Sequence, residues 1–121
     1  MIKGLIARWF AGRNDTPRPV VAAFESAAGR IDLTAADISD VATQFGDMGP
    51  GLRIDFTADA HAHISELVAE SQGQNLRFLI CKAVVFEADA PATFPASMSI
   101  AVEGLGAAQW NAGILKGKRT C

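Results

Sequence analysis

Between residues 33 and 117 the chain carries short segments in which apolar and polar residues alternate, together with two stretches of helical periodicity. Apolar residues at every second position place one face of a β-strand on a core, whereas spacings of three and four indicate a helix. Strand periodicity is found at residues 41–45, 52–57 and 97–102, and also at 76–86, which we interpret as two strands joined by a tight turn near residues 81–83. The pattern therefore predicts an α+β fold, with an antiparallel sheet of about four to five strands and two main helices packed on one face.

The two helical stretches have apolar stripes and defined ends. Residues 59–71 precede Gly73, and residues 105–115 precede Gly117, which is where helix C-caps prefer glycine. We expect Trp110 of the second helix to lie in the core. The apolar stripe of the first helix consists of Ala60, Ile64, Leu67 and Val68.

Two other segments are less specific. Residues 20–24 form an apolar run that is compatible with either a strand or a short helix. Residues 46–51 are rich in glycine, but they contain Asp47 and no lysine that would hold a phosphate. We therefore interpret this second segment as a hairpin connection.

Size and charge limit the function classes. The chain has 121 residues, enough for one domain with a modest core. The net charge of −2 argues against a nucleic-acid partner, because phosphate contacts need clustered cations. No segment approaches the roughly 18 to 20 apolar residues of a membrane span, and the N-terminal residues lack the continuous apolar core of a secretory signal. We therefore expect a cytoplasmic location.

We expect residues 1–19 to form an amphipathic arm and linker, separate from a domain at residues 20–121. The spacing places four apolar residues on one stripe of a helix: Ile2, Leu5, Trp9 and Phe10. Cations flank this stripe, and prolines after it end the helix. These four side chains are the predicted interaction surface. The stripe either docks on its own domain or on a second copy, or makes a weak peripheral membrane contact through residues 1–13, or is disordered.

The two cysteines, Cys81 and Cys121, are too few for a disulfide framework. Cys81 lies in an apolar run and is expected to be a small buried hydrophobic residue. Cys121 is the last residue and is expected to be frayed. Neither has a nearby histidine or CxxC partner that would lower its pKa, so no redox role is predicted.

The histidines, His61 and His63, lie on the first predicted helix and point about 200° apart. Asp59, His63, Glu66 and Glu70 have metal-ligand spacing, but acids and histidines opposite an apolar stripe are usually solvated. A structural zinc also needs four ligands. We therefore predict no metal, no cofactor and no catalytic residue. The alternative is a small metal- or ligand-binding protein or enzyme whose pocket uses the helix carrying both histidines.

Several motifs between residues 33 and 117 occur in an order known from one protein family. They comprise Leu-Thr-Ala-Ala-Asp-Ile at 33–38, Leu-Arg-Ile-Asp-Phe-Thr at 52–57, the helix at 59–71 followed by Gln-Gly-Gln-Asn-Leu at 72–76, and the segments 79–85, 98–100 and 109–117. This order resembles the periplasmic head subdomain of the protein-export membrane protein SecD. The family's tight Asp-Gly turn is replaced here by Cys81 and Lys82.

The resemblance implies a SecD-head-like domain without enzymatic activity. The base subdomain, the transmembrane helices and the proton-conducting acids of SecD have no counterpart in this sequence. The resemblance therefore implies an interaction module, whose partner is an extended polypeptide or a second copy in a homo-oligomer.

Overall fold

Seven strands and two α-helices lie within residues 19–47 and 49–121, the residues that the computed structural model describes. A single turn of 3-10 helix, Ala35–Asp37, separates the second strand from the third. The elements are β1 (Val20–Ser26), β2 (Gly29–Thr34), β3 (Ile38–Gly46), β4 (Gly49–Phe56), α1 (Ala58–Glu70), β5 (Asn75–Ile80), β6 (Ala83–Asp89), β7 (Ser97–Ala101) and α2 (Leu105–Leu115).

The strands form two antiparallel sheets, one in the order β2-β1-β5-β6 and the other in the order β3-β4-β7. The α+β class, the antiparallel pairing and the two helices are thus confirmed. The described strands are divided between two sheets, whereas we expected one sheet of four to five strands. Strand periodicity shows which face is buried but not which strands are neighbours, and β1 pairs with β5 across some fifty intervening residues. Residues 20–24, ambiguous in sequence, belong to β1.

The helix α1 forms as its sequence predicts. The Thr57 side chain accepts a hydrogen bond from the Ala60 amide at 3.2 Å, which satisfies one of the free donors of the first turn. Gly73, just beyond the end, has a φ of +80°. The predicted stripe is buried at all four positions: Ala60, Ile64, Leu67 and Val68.

Phenylalanine rings join the two sheets in the core. Phe24 of β1 lies 4.7 Å from Phe78 of β5 in its own sheet and 5.9 Å from Phe56 of β4 in the other sheet, centroid to centroid. Phe94, from the β6–β7 connection, lies 5.3 Å from Phe24 and 5.8 Å from Phe56. Tilted and edge-on pairs at these distances are favourable beyond the area they bury. One aromatic cluster therefore holds both sheets and a connecting loop together.

The helix α2 packs mainly on β3 and β4. It buries Ala108, Ala112 and Leu115, which are spaced four and three residues apart. Trp110 follows Ala108 by two residues and therefore points about 200° away from that position. It is 52% exposed, so the expectation that Trp110 belongs to the core is wrong.

Cys81 and Cys121 form a disulfide, with their Cα atoms 5.5 Å apart. The expectations of a buried free thiol at Cys81 and a frayed Cys121 are both wrong. The two-residue turn between β5 and β6 places Cys81 at the tip of a hairpin, with a φ of +59°. After α2 the chain turns back, because the amides of Lys118 and Arg119 both donate to the carbonyl of Gly113. Because the two cysteines are 40 residues apart, no local sequence pattern indicates that they pair.

Candidate interaction groove

A groove of about 300 Å³ lies between β6 and β7, and we refer to it as the interstrand groove. The strand β6 is an edge of the four-stranded sheet, and β7 is an edge of the three-stranded sheet. The groove is therefore bordered by one edge strand from each sheet. Its lining consists of Phe24, Leu76, Phe86, Asp89, Pro91, Phe94, Pro95, Ser97, Met98 and Ser99.

The base of the groove is apolar and its rim is polar. Phe24, Leu76, Phe94 and Met98 are buried, each less than a tenth exposed. Phe86 on β6 is 38% exposed and stands in register with Phe78, which in turn pairs with Phe24. The polar lining residues are exposed, and they are Asp89, Ser97 and Ser99.

The β6–β7 connection is anchored on α1 and on the residues that follow it. Phe94 is 5% exposed, and its carbonyl oxygen lies 2.9 Å from His61 Nε2, which therefore carries the proton and donates. Gln72 donates from Nε2 to the carbonyl of Pro91 at 2.7 Å. The Ala90 amide donates to the carbonyl of Gln74 at 3.0 Å. These three bonds hold the segment that supplies Phe94 to the base of the groove.

Both bordering strands present backbone groups without a strand partner among the described residues. Such an edge pairs readily with another extended chain. The edge strand β6 also carries two large apolar side chains that are partly exposed, Val84 and Phe86. An extended segment placed beside β6 gains main-chain hydrogen bonds, while every second side chain faces the sheet and reaches apolar surface.

The two histidines have separate surroundings. His61 contacts the groove connection through Phe94, with the two rings 5.7 Å apart. His63 is exposed and shares a shallow surface depression with Glu66, Glu70 and β2 residues. Within residues 19–47 and 49–121, no cluster of three or more His, Cys, Asp or Glu side chains is arranged to hold a metal ion. The structure thus brings none of the proposed metal-ligand set into a coordinating arrangement.

Arg30, which borders the same depression, is held by acids. Its guanidinium donates to Asp32 at 2.8 Å and to Glu25 at 3.0 Å. The hydrogen bond with Asp32, with the charge of that carboxylate and then Glu25 adding to it, raises the pKa of Arg30 above its ordinary value. Arg30 is therefore part of an ion-pair network with Asp32 and Glu25 on the surface of the sheet.

The predicted interaction surface of the arm, Ile2, Leu5, Trp9 and Phe10, lies outside the described residues. The interstrand groove was not predicted from the sequence. Its one visible sign is the apolar Phe94 between Pro91 and Pro95, in a segment that sequence periodicity leaves unassigned. An aromatic residue inside such a connection indicates that the connection packs on the core.

Comparison with known proteins rests on structure, since no protein-family model and no curated protein matches the chain. One solved structure that matches is SecDF, described as a membrane component that enhances protein export. It aligns with a TM-score of 0.60 and 22% identity over 69% of this chain and 40% of the other. The fold is SecD-like. A second structure, SecDF in a super-membrane-facing form, matches with a TM-score of 0.56 and 22% identity.

This SecD-like domain spans only part of the proteins it matches, since the second alignment covers 69% of this chain and 12% of that one. The likeness supports the family resemblance at the level of the fold. Of the helices in the described residues, none combines the length and the apolar character that crossing a membrane requires.

Proposed function

We propose that this domain is a non-enzymatic module that binds an extended polypeptide in the interstrand groove. The observation that carries the proposal is the position of the apolar base, between an edge strand of one sheet and an edge strand of the other. Affinity comes from main-chain hydrogen bonds to a strand edge, and selectivity for apolar residues comes from Phe86, Phe94 and Met98.

The groove favours a polypeptide over a small polar substrate. Among the described residues, its lining carries one ionisable side chain, Asp89, and no histidine, cysteine or lysine. General acid–base chemistry and nucleophilic catalysis both require a positioned titratable pair or an activated nucleophile. Apolar side chains beside backbone donors and acceptors that lack a strand partner within residues 19–47 and 49–121 instead suit a strand whose side chains alternate in direction.

The structural neighbours support this choice of partner. SecDF is described as enhancing protein export, a process in which the cargo is itself a polypeptide. The chain corresponds to less than half of that protein, so the proposal concerns contact with a polypeptide and not the whole protein's activity. The metal-binding alternative has no observation in its favour.

The test is a titration of a fluorescein-labelled peptide of alternating valine and threonine, followed by anisotropy. Phe86→Glu places a charge on the apolar surface and weakens binding at least tenfold, because burying a phenylalanine contributes about 1.5–3 kcal/mol. The matched control is Phe45→Glu on β3, where the ring is 75% exposed and outside the groove. The control retains wild-type affinity. Equal affinities for the two variants would refute the assignment of the groove.

A second copy is the other partner that an edge strand accepts. Sedimentation velocity over a range of protein concentrations separates the two cases. A dimer that Phe86→Glu dissociates and Phe45→Glu leaves intact assigns the groove to self-association in place of peptide binding. A monomer at all concentrations that still binds the peptide supports the proposal.

The disulfide bears on location. Disulfides persist in oxidising compartments and are rare in the cytosol. The Cys81–Cys121 bond therefore favours an oxidising compartment for this domain over the cytoplasmic location that the sequence predicts. Alkylation of free thiols in intact cells that produce the protein measures directly whether Cys81 and Cys121 are bonded. Protection of both cysteines before reduction supports the oxidising compartment, and modification of both supports the cytoplasm.

A further inference from the structure

Carboxylates are placed where the β6–β7 connection meets the interstrand groove. The connection begins after Asp89, the last residue of β6, and ends before Ser97, the first residue of β7, and both of these residues line the groove. The Ser97 hydroxyl donates to Asp55 Oδ1 at 2.5 Å, so a second carboxylate is hydrogen-bonded to the lining. The groove therefore has an acidic end.

The charge of this acidic end is only partly offset. Asp55 pairs with Arg53 at 3.5 Å, but the same guanidinium also pairs with Asp40 at 3.1 Å, so one cation serves two acids. Asp89 is exposed and forms no ion pair with any residue in 19–47 or 49–121. Residues 83–101, which form both bordering strands and their connection, include no lysine or arginine. Asp89 is therefore left to attract a cation of the partner.

The opposite end of β6 carries a positive charge. Lys82 directly precedes Ala83, the first residue of β6, and is exposed. It forms no ion pair within the part of the chain that the structure describes. The length of the strand separates Lys82 from Asp89 by roughly 20 Å. The edge strand β6 therefore presents a cation at its start and an acid at its end.

We propose that the polypeptide segment bound in the groove lies antiparallel to β6, with a cation at its N-terminal end, an acid at its C-terminal end and apolar residues at every second position between them. An antiparallel strand places its N-terminal end beside Asp89 and its C-terminal end beside Lys82, so each charged end meets the opposite charge. A parallel strand of the same sequence would bring like charges together, and parallel pairing is also slightly less stable. This selectivity rests on the peptide site proposed above, which by itself specifies neither direction nor charge.

The test compares two unlabelled peptides of identical composition as competitors of the fluorescein-labelled peptide described above. Both are acetylated and amidated, and both carry the same run of alternating threonine and valine. The first has lysine before this run and glutamate after it, and the second has the two charges exchanged. At low salt the full chain binds the first peptide about tenfold more tightly, because exchange turns two exposed attractions into repulsions. The preference shrinks at about 1 M salt, where the screening length falls to about 3 Å.

Three variants assign the preference to the ends of β6. Asp89→Asn removes one of the two charges and lowers the preference to about threefold. Glu87→Gln is the matched control, because it removes the same charge two residues earlier on β6 and Glu87 does not line the groove. This control retains the wild-type preference. Lys82→Asp together with Asp89→Lys keeps the net charge and reverses the preference in favour of the second peptide, a result that a folding defect cannot produce.

The outcomes separate this proposal from the peptide site on which it rests. Equal affinities of the wild-type chain for the two peptides would overturn the proposed direction and charge, and would leave the groove assignment intact. If neither the labelled peptide nor either competitor binds, peptide binding in the groove is itself refuted. An unchanged preference in the variant that exchanges the charges of Lys82 and Asp89 would also overturn the proposal, because the preference would then arise at another surface.

Discussion

The Ser26 hydroxyl donates a hydrogen bond to the Ser71 hydroxyl, with the two oxygens 2.6 Å apart. The direction follows from the neighbours, because Ser71 donates its own proton to the carbonyl of Leu67 at 2.6 Å. Ser26 in turn accepts from the Ala28 amide at 3.0 Å. This directed series links the β1–β2 turn to the end of α1, and Ser71 is fully buried within it.

Replacing Ser71 with alanine removes the centre of this series. The Ser26 hydroxyl then lacks its acceptor in a partly buried site, and we expect the free energy of unfolding to fall by about 1–3 kcal/mol. Urea denaturation at equilibrium measures the change as a lower midpoint with an unchanged slope.

Ser65 supplies the control on the same helix. Its hydroxyl is buried and has no hydrogen-bond partner among the described residues. Ser65→Ala removes an unsatisfied group and adds a better helix former, so it is neutral or stabilises by roughly 0.5 kcal/mol. If Ser65→Ala lowers the free energy of unfolding as much as Ser71→Ala does, the hydrogen bonds of Ser26 and Ser71 make no particular contribution to stability.

Breaking the disulfide lowers stability through the unfolded chain. A cross-link between residues 40 apart lowers the conformational entropy of the unfolded chain, and in the chain-entropy model this raises the free energy of unfolding by about 4 kcal/mol. Dithiothreitol therefore lowers the melting temperature by roughly 15–30 °C. Cys81→Ser with Cys121→Ser reproduces the lower value and no longer responds to the reductant. A wild-type melting curve that is the same with and without dithiothreitol would contradict the bond.

Gly51 allows β4 and β7 to approach closely. A Cβ atom at this position would lie 2.7 Å from the backbone oxygen of Ile100, on the paired strand. Because the backbone oxygen of Ile100 moves only when its strand moves, Gly51→Ala destabilises by about 1–3 kcal/mol. Gly46→Ala is the control, since nothing lies within 4 Å of its added methyl group. Thermal melting of both variants checks the difference, and equal melting temperatures would show that β7 shifts freely.

Phe94 contributes to the core and to the base of the groove. Phe94→Ala leaves a cavity among Phe24 and Phe56 and lowers the free energy of unfolding by about 3–5 kcal/mol. Phe45→Ala, at an exposed ring, changes it by less than about 0.5 kcal/mol. Phe94→Leu retains most of the packing, and we expect it to fold and to bind the peptide more weakly than wild type. A Phe94→Leu variant with unchanged peptide affinity would place the peptide elsewhere.

Much of the local structure was predictable from the sequence. The helix α1, the β3–β4 and β5–β6 hairpins, β7 and the extent of α2 all follow from hydrophobic period and from glycine at the helix ends. These features are local because the period of a segment depends only on which of its own side chains must be buried. The α+β class follows from the same information.

The functional features required the tertiary structure. The division into two sheets depends on β1 pairing with β5 and β4 pairing with β7, between segments that are far apart in sequence. The interstrand groove exists only because those pairings leave β6 and β7 as edges. The disulfide likewise depends on how the chain after α2 returns to the β5–β6 turn.

The sequence by itself thus determined most of the elements and, for α1, the face that it buries. The fold alone decided which elements became neighbours, and with that the groove between two strand edges and the pairing of Cys81 with Cys121. The physical reason is that hydrophobic periodicity shows which face of a segment is buried, but not which other segments it packs against. Contacts between distant segments depend on loop closure and on competition among all possible partners.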